Sequence, residues 1–536
     1  MNRTSRWTLT FSVFVAGIVF AQAPVVPQGG VVSAASLLPF GAPGYQLSPG
    51  AIVSIFGTNL AASSGGAVGL PLPTILNGAK VTIGNIAAPI FYASPSQINA
   101  QIPYTVTPGA NVTVSVQNSV GSTTLFIPVV AAAPTLFSAS QNGLGNAAAQ
   151  NYVSATSTPA NSFNVAIPQG GILIAYGTGG GAIAGATTGA ACPGGTFTGT
   201  PASATIAGQL ATVNYAGCSP GFVGLDQWNI VIPSTVPDGC YLPVQVTVNG
   251  VSSNTVTISV AKSGNCSTAA TGQPQVGAGQ ALGSLSLSHS TFSAAGAGNF
   301  SNSSFSGTFQ KNGAVTSSAT AGLPPAGAGC LVQVYKSSSS SPPSATTPGT
   351  PLDAGVLTLK TPSSGSVTLP PSPIGTYNSA VTGFPAVTTG AYSISGAGGA
   401  NVGAFGPTTI TLPALLTVTN PGFSGTSFSQ AQSLSPALTC PDPAGEIVVE
   451  ILSGTSSGLQ GIALCTFACG SNVVVPSSVL KQLPVSASGM ADLFFLFLAP
   501  NNNAGVTSKQ FTATGLDLGL FSYTDTYGLA SLTLTP

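Results

Sequence analysis

Two stretches of this chain carry nearly the same pattern: Val81 to Ile102, VTIGNIAAPIFYASPSQINAQI, and Ala204 to Ile232, ATIAGQLATVNYAGCSPGFVGLDQWNIVI. Each reads as a short strand, a Gly turn, a second strand carrying an aromatic, a Ser-Pro loop, then Gln-x-Asn and an apolar residue before Pro. The match extends outwards. Ile52-Val53-Ser54-Ile55-Phe56 with Gly57-Thr58 corresponds to Ile172-Leu173-Ile174-Ala175-Tyr176 with Gly177-Thr178. The terminal hairpin of Val112 to Val116 and Thr124 to Val130 recurs as Val244 to Val248, a turn at Asn249-Gly250, and Thr255 to Val260. Asn-Gly suits a two-residue hairpin because both positions tolerate φ > 0. The offset grows from 120 at Thr58/Thr178 to 130 at Asn99/Asn229, so the second copy holds about ten extra residues in the region of Cys192. Apolar runs of four to eight residues between Gly, Pro, Asn and Ser, with no helical period, predict β-sandwiches.

The fold class expected is therefore all-β: tandem Ig-like β-sandwich domains followed by one or two further β-sandwich domains. The boundaries expected are domains 28–132 and 133–262, a Gly/Ala/Ser/Gln-rich linker 263–281, and β-rich domains 282–419 and 420–536. In the last two, Gly329 to Tyr335, Val356 to Leu359, Ala391 to Ile394, Thr408 to Leu412, Glu446 to Leu452, Asn472 to Val475, Leu493 to Leu498 and Leu529 to Leu534 read as strands. The tract KSSSSSPPSATTPGTP reads as a mobile loop, and Pro476 to Leu483 as a short helix with Ser477 or Ser478 as its cap.

Arg3 and Arg6, the apolar run Trp7 to Phe20 and small residues at Val19 and Ala21 have the three parts of a secretory signal, which predicts cleavage after Ala21 and a leader of 1–21. The apolar run is shorter than a membrane span needs, so no transmembrane segment is expected in the mature chain, which is then secreted or held at the cell surface. Charged residues make up only 3%, and without the leader seven Lys face nine acids, a net charge of −2. That leaves no basic field for nucleic acid.

An exported chain with eight cysteines implies disulfides. Cys192, Cys218, Cys240 and Cys266 fall in the second repeat and its edge, and Cys330, Cys440, Cys465 and Cys469 beyond it. Each set of four allows three pairings. Cys192 with Cys218 and Cys240 with Cys266 is favoured in the first set, because each pair closes one loop inside one domain.

Side by side, the copies resemble a known family. Val32-Ser33-Ala34-Ala35-Ser36, Pro49-Gly50, Phe56-Gly57-Thr58-Asn59-Leu60, Ala88-Pro89-Ile90-Phe91-Tyr92, Ser94-Pro95-Ser96-Gln97-Ile98-Asn99 and Ala133-Pro134-Thr135-Leu136-Phe137 carry the resemblance in the first half. Tyr215-Ala216-Gly217, Ser219-Pro220-Gly221, Val223-Gly224 and Ser253-Asn254 carry it in the second. From about Val31 to Cys266 the chain resembles the uncharacterised secreted module called the Solibacter C-terminal domain, related to IPT/TIG Ig-like domains. Here that module is N-terminal. The resemblance implies an extracellular Ig-like fold and no established activity, so no catalytic residue is transferred.

Motifs that could carry chemistry are weak. Gly177-Thr178-Gly179-Gly180-Gly181-Ala182 follows a strand like a dinucleotide loop, but no helix follows and the nearest acid is Asp226, so a glycine turn is expected and no cofactor. Gly454-Thr455-Ser456-Ser457-Gly458 is a literal G-x-S-x-G, yet the only His is His289, far along the chain, and no helix begins after it. A hairpin loop is expected there instead. Asp442, Glu446 and Glu450 are the nearest thing to an acid cluster, and solvent exposure accounts for the shared face of the two Glu residues as well as a metal or glycosidase site does. One His and oxidised thiols leave no metal site.

Period two places Ile98, Ala100 and Ile102 on one face, and Trp228, Ile230 and Ile232 on its counterpart, as core. Gln97, Asn99, Gln227 and Asn229 then face the other way, where amides are expected to tie down loop backbone. The functional expectation is a non-catalytic extracellular structural or adhesion protein whose partner is an extracellular protein or polysaccharide. The rival is a carbohydrate-binding protein stacking sugars on exposed Tyr92, Tyr104 or Tyr215. An extracellular hydrolase is the third reading.

Overall fold

A computed structural model describes residues 22–198, 202–266, 280–294, 298–311, 323–336, 349–363, 365–379, 384–500 and 505–536. The expected leader, the middle of the expected linker (267–279) and most of the Ser/Pro/Thr tract (337–348) lie outside the described residues. The fold is all-β, with one short helix, Ser477–Leu480, among the described residues.

Each repeat forms two sheets facing each other. In the first, one sheet runs Val31–Ser33, Ile52–Phe56, Gln97–Gln101, Ile90–Ala93, Gly65–Gly66, and the other runs Ser122–Val129, Gly109–Gln117, Ala79–Ile83, Ile75–Leu76. Alternation sends Val53, Ile55, Ile98 and Ala100 from one sheet and Val81, Ile83, Val114 and Val116 from the other into one core, all with no exposure. The second repeat follows the same plan, with Ile172–Thr178 against Asp226–Val231 and Val213–Cys218 in one sheet, and Ser203–Ile206 against Gly239–Val248 in the other. Ser54 pairs with Asn99, and Ile174 with Asn229, so corresponding residues share a register in the two copies. The repeated block crosses between sheets, since Ala79–Ile83 and Ser203–Ile206 belong to the sheet opposite their Gln-x-Asn strands.

Beyond residue 280 the sheets run across the expected break at Asn420-Pro421-Gly422. Ala281–Ala294 lies parallel to Leu518–Thr535, inside a sheet that also contains Cys330–Lys336, Leu459–Ala468, Glu446–Gly454, Ala491–Leu498 and Gly298–Lys311. A smaller sheet, Ser366–Leu369, Leu357–Lys360, Gly390–Gly396 and Phe405–Leu412, packs on it over one shared core containing Phe309, Tyr392, Ile410, Phe495 and Phe521.

Two local expectations are corrected. The helix starts after Pro476 with no side-chain cap, and covers Ser477–Leu480 only. Asn472 to Val475 forms no strand; Val475 makes an isolated bridge to Leu434. The run Leu493 to Leu498 lies in the strand Ala491–Leu498, as expected, and buries Leu493, Phe495 and Phe497 fully, while Phe494, Leu496 and Leu498 on the other face are half-buried.

Candidate functional site

Ile98, Ala100, Trp228, Ile230 and Ile232 are in the cores, Trp228 with its indole N–H unpartnered. On the opposite face the paired amides bond to each other. Gln97 Nε2 donates to Asn99 Oδ1 at 2.8 Å, and Gln227 Nε2 to Asn229 Oδ1 at 2.9 Å. Residues two apart on one strand face bring such heads within reach. The structure thus differs from the expectation that these amides hold loop backbone: Ser94 does that, its Oγ accepting the N–H of Ser96 and Gln97 and donating to the Gln97 carbonyl. Ser54 and Ser219 complete the two pairs by donating to Asn99 Oδ1 and Gln227 Oε1.

The densest polar arrangement lies where the repeats meet end to end. The Ile52 N–H donates to Thr178 Oγ1 at 2.9 Å, and that hydroxyl donates to the Gly224 carbonyl at 2.7 Å. Ser48 Oγ donates to the Gly179 carbonyl, and the Ser33 and Thr135 hydroxyls meet at 2.7 Å. The extra residues of the second copy reach the first: the Gly189 N–H donates to Gln101 Oε1 at 2.7 Å, its carbonyl accepts from Leu72 N–H, and Tyr104 N–H donates to Thr188 Oγ1. Gln101 has no exposure. The Cys192–Cys218 disulfide holds this loop, and Tyr104, Ile183 and Phe197 pack on it.

The glycine run allows close packing inside the second repeat. A Cβ on Gly177 would stand 2.2 Å from the Thr135 carbonyl oxygen and 2.6 Å from Trp228, and one on Gly180 would stand 2.0 Å from the Phe197 ring. The loop amide that a phosphate would need is taken: Gly180 N–H donates to Asp226 Oδ2 at 2.7 Å. Burial pushes the Asp226 carboxyl up to about 8, only partly offset by that hydrogen bond. Burial, reinforced by the Asp226 charge, raises the Tyr104 phenol above its ordinary value.

All eight cysteines are paired: Cys192–Cys218, Cys240–Cys266, Cys330–Cys465 and Cys440–Cys469. Cys330 and Cys465 are cross-strand neighbours 135 residues apart.

The remaining candidates are dispersed. Gly454 to Gly458 turns the hairpin between Glu446–Gly454 and Leu459–Ala468. His289 stands opposite Asp525, which faces Phe497, which faces Ile447, so by strand spacing it is roughly 30 Å from Ser456. No triad forms between them. His289 Nδ1 lies 2.8 Å from Asp525 Oδ1, and the other oxygen of this buried carboxylate accepts Tyr523 Oη–H and Leu416 N–H. Sequence inspection had no signal for this pair, which sits 236 residues apart on parallel strands.

Asp442 staples a loop by accepting from Ala444, Val506 and Thr507; burial opposes its charge, but these bonds outweigh it and lower its pKa. Glu446 and Glu450 are half-buried rather than solvent-facing, and burial pushes Glu446 up to about 7 and raises Glu450. Tyr92, Tyr104 and Tyr215 are half-buried too, and the Tyr215 hydroxyl donates to the Cys218 carbonyl at 2.6 Å. Among the described residues, no three His, Cys, Asp or Glu side chains gather as a metal site, and no helix is long and apolar enough to cross a membrane.

Paired sheets, a shared register and buried inter-repeat contacts define a protein of tandem Ig-like modules. An IPT/TIG domain is present at residues 43–127, where the family profile matches. No curated protein matches the chain. Among solved structures, a tetra-tandem repeat from the extending region of a large adhesion protein is 14% identical, covering 90% of this chain and 98% of its own, at a TM-score of 0.13. Invasin, a bacterial integrin-binding protein, is 12% identical, covering 92% and 78%, and the I9–I11 tandem of titin is 8% identical, covering 66% and 90%, both at 0.13. At such TM-scores these likenesses carry no argument, and the architecture rests on the sheets themselves.

Proposed function

We propose that this is an exported, non-catalytic scaffold of Ig-like modules with a structural or adhesive role, built on tandem modules of the Solibacter C-terminal type. Residues 28–132 and 133–262 act as one rigid pair, and 281–536 as one further unit rather than two. The observation that carries this reading is the inter-repeat junction. The polar groups that a ligand site would display are instead occupied there: Thr178 and Gln101 accept the Ile52 and Gly189 N–H across the junction, while Asp226 takes the Gly180 N–H of the glycine loop within the second repeat. Four disulfides support folding in an oxidising compartment, and the leader at 1–21 supports export. The tyrosines suited to sugar stacking are half-buried, so the carbohydrate-binding reading receives no support from them. The test is fractionation of the producing cells combined with turnover assays on ester, peptide and glycoside panels. The proposal expects the chain outside the cytoplasm and no turnover above blank; turnover that co-purifies with the protein and disappears on a point substitution overturns it.

A further inference from the structure

We infer that the edge strand Cys330–Lys336 is an acceptor for one extended polypeptide strand of another protein, seated in the cleft between that edge and the second repeat. Among the described residues this strand has a single neighbour in the large sheet, Leu459–Ala468. The Cα atoms of Cys330 and Cys465 lie 4.2 Å apart, the short spacing of a pair that exchanges no backbone hydrogen bonds. Alternation then turns the N–H and C=O of Cys330, Val332 and Val334 away from the sheet, and no backbone group among the described residues bonds to them there. The opposite edge is blunted in an ordinary way, by the two-residue strand Thr350–Pro351. The sequence CLVQVYK has no proline and no charge before its last residue, so this edge lacks such protection.

What limits access to it is a cleft of about 930 Å³, lined by Val332 and Val334 on one side and by Pro243 and Gln245 of the second repeat on the other. From Cys330 to Val334 the open edge runs about 13 Å, enough to pair one short strand. Among the described residues lining the cleft Lys481 alone is charged, which favours a strand bearing a carboxylate. The Thr466 hydroxyl, in the same wall, is buried with no hydrogen-bond partner. This inference goes beyond the scaffold reading, which does not locate a partner, and its failure leaves that reading intact.

The probe is a fluorescein-labelled hexapeptide alternating valine and threonine and ending in glutamate, titrated against the full chain lacking 1–21 by anisotropy. Saturable binding is expected. N-methylating the peptide along one edge leaves binding in place, whereas methylating both edges weakens it at least about tenfold, because no backbone pairing remains. Val334→Pro, which removes an outward donor at an edge position that tolerates proline, weakens it comparably. Lys481→Gln abolishes any preference for the glutamate peptide over its glutamine counterpart. No binding at about 1 mM peptide, or equal binding after methylation of both edges, overturns the acceptor; a glutamate preference that survives Lys481→Gln overturns the assigned carboxylate contact.

Discussion

Asp226 gives the junction a pH signature that can be calculated. It is 4% exposed, and burial raises its pKa from 3.8 to about 8. Below pH 3.8 the carboxyl is neutral in both folded and unfolded chains and costs nothing. Between that value and about 8 the unfolded chain releases a proton that the folded chain keeps, so the folded state loses about 1.4 kcal/mol per pH unit. Above about 8 the loss is complete and the curve levels. From pH 5 to pH 8 the second repeat should lose about 4 kcal/mol. Asp226→Asn keeps an acceptor for the Gly180 N–H and removes the ionisation, so its stability should be flat across that range. The assay is urea unfolding at several pH values without reductant, followed by Trp228 fluorescence; once 1–21 is removed Trp228 is the sole tryptophan, so the signal reports on this repeat alone. An equal slope in wild type and Asp226→Asn, or no slope in wild type, refutes the reasoning.

Other outcomes follow from the same contacts. Thr178→Val, nearly isosteric, strands the Ile52 N–H and Gly224 carbonyl and should cost about 2 kcal/mol, with new protease cleavage near the junction. Gly177→Ala should lower the Trp228-monitored unfolding midpoint markedly, since its Cβ would collide with backbone at 2.2 Å. Replacing Cys330 and Cys465 together by Ser should destabilise the C-terminal unit by up to about 4–5 kcal/mol, more than the roughly 3 kcal/mol for the Cys192–Cys218 pair, because it closes 135 residues rather than 26; calorimetry of the two variants compares them. Glu446, whose pKa burial raises to about 7, should make the C-terminal unit lose stability as pH rises from about 4.5 to 7, and Glu446→Gln should remove that loss in the calorimetric transition of the same unit.

Local patterns carried much of the fold. Period-two alternation reads out Ile52–Phe56 and the core faces of Gln97–Gln101 and Asp226–Val231, because one buried face permits a single register. The repeat places Ser54 opposite Asn99 and Ile174 opposite Asn229 in the same backbone register. Disulfides closing short loops inside one repeat could be read from spacing, whereas Cys330 with Cys465 required knowing that their strands are neighbours. The parallel pairing of Ala281–Ala294 with Leu518–Thr535 leaves no local trace, so neither the single C-terminal unit nor the His289–Asp525 contact was legible. At the junction, Gly177 to Ala182 and Asp226 drew notice as a failed nucleotide motif. Only the sheets reveal that the acid lies against the glycine loop itself, and that the ten added residues exist to reach the first repeat.

A clasp at the junction requires that the two Ig-like repeats be held as one body. Spin labels at Ser122→Cys and Leu210→Cys, one in each repeat, measure this by pulsed electron–electron resonance on the chain lacking 1–21. A single narrow distance distribution in the parent, broadening when Thr178→Val and Gln101→Leu are added, is the expected result. A broad distribution in the parent itself contradicts a rigid junction and, with it, the reading of its polar residues as a clasp.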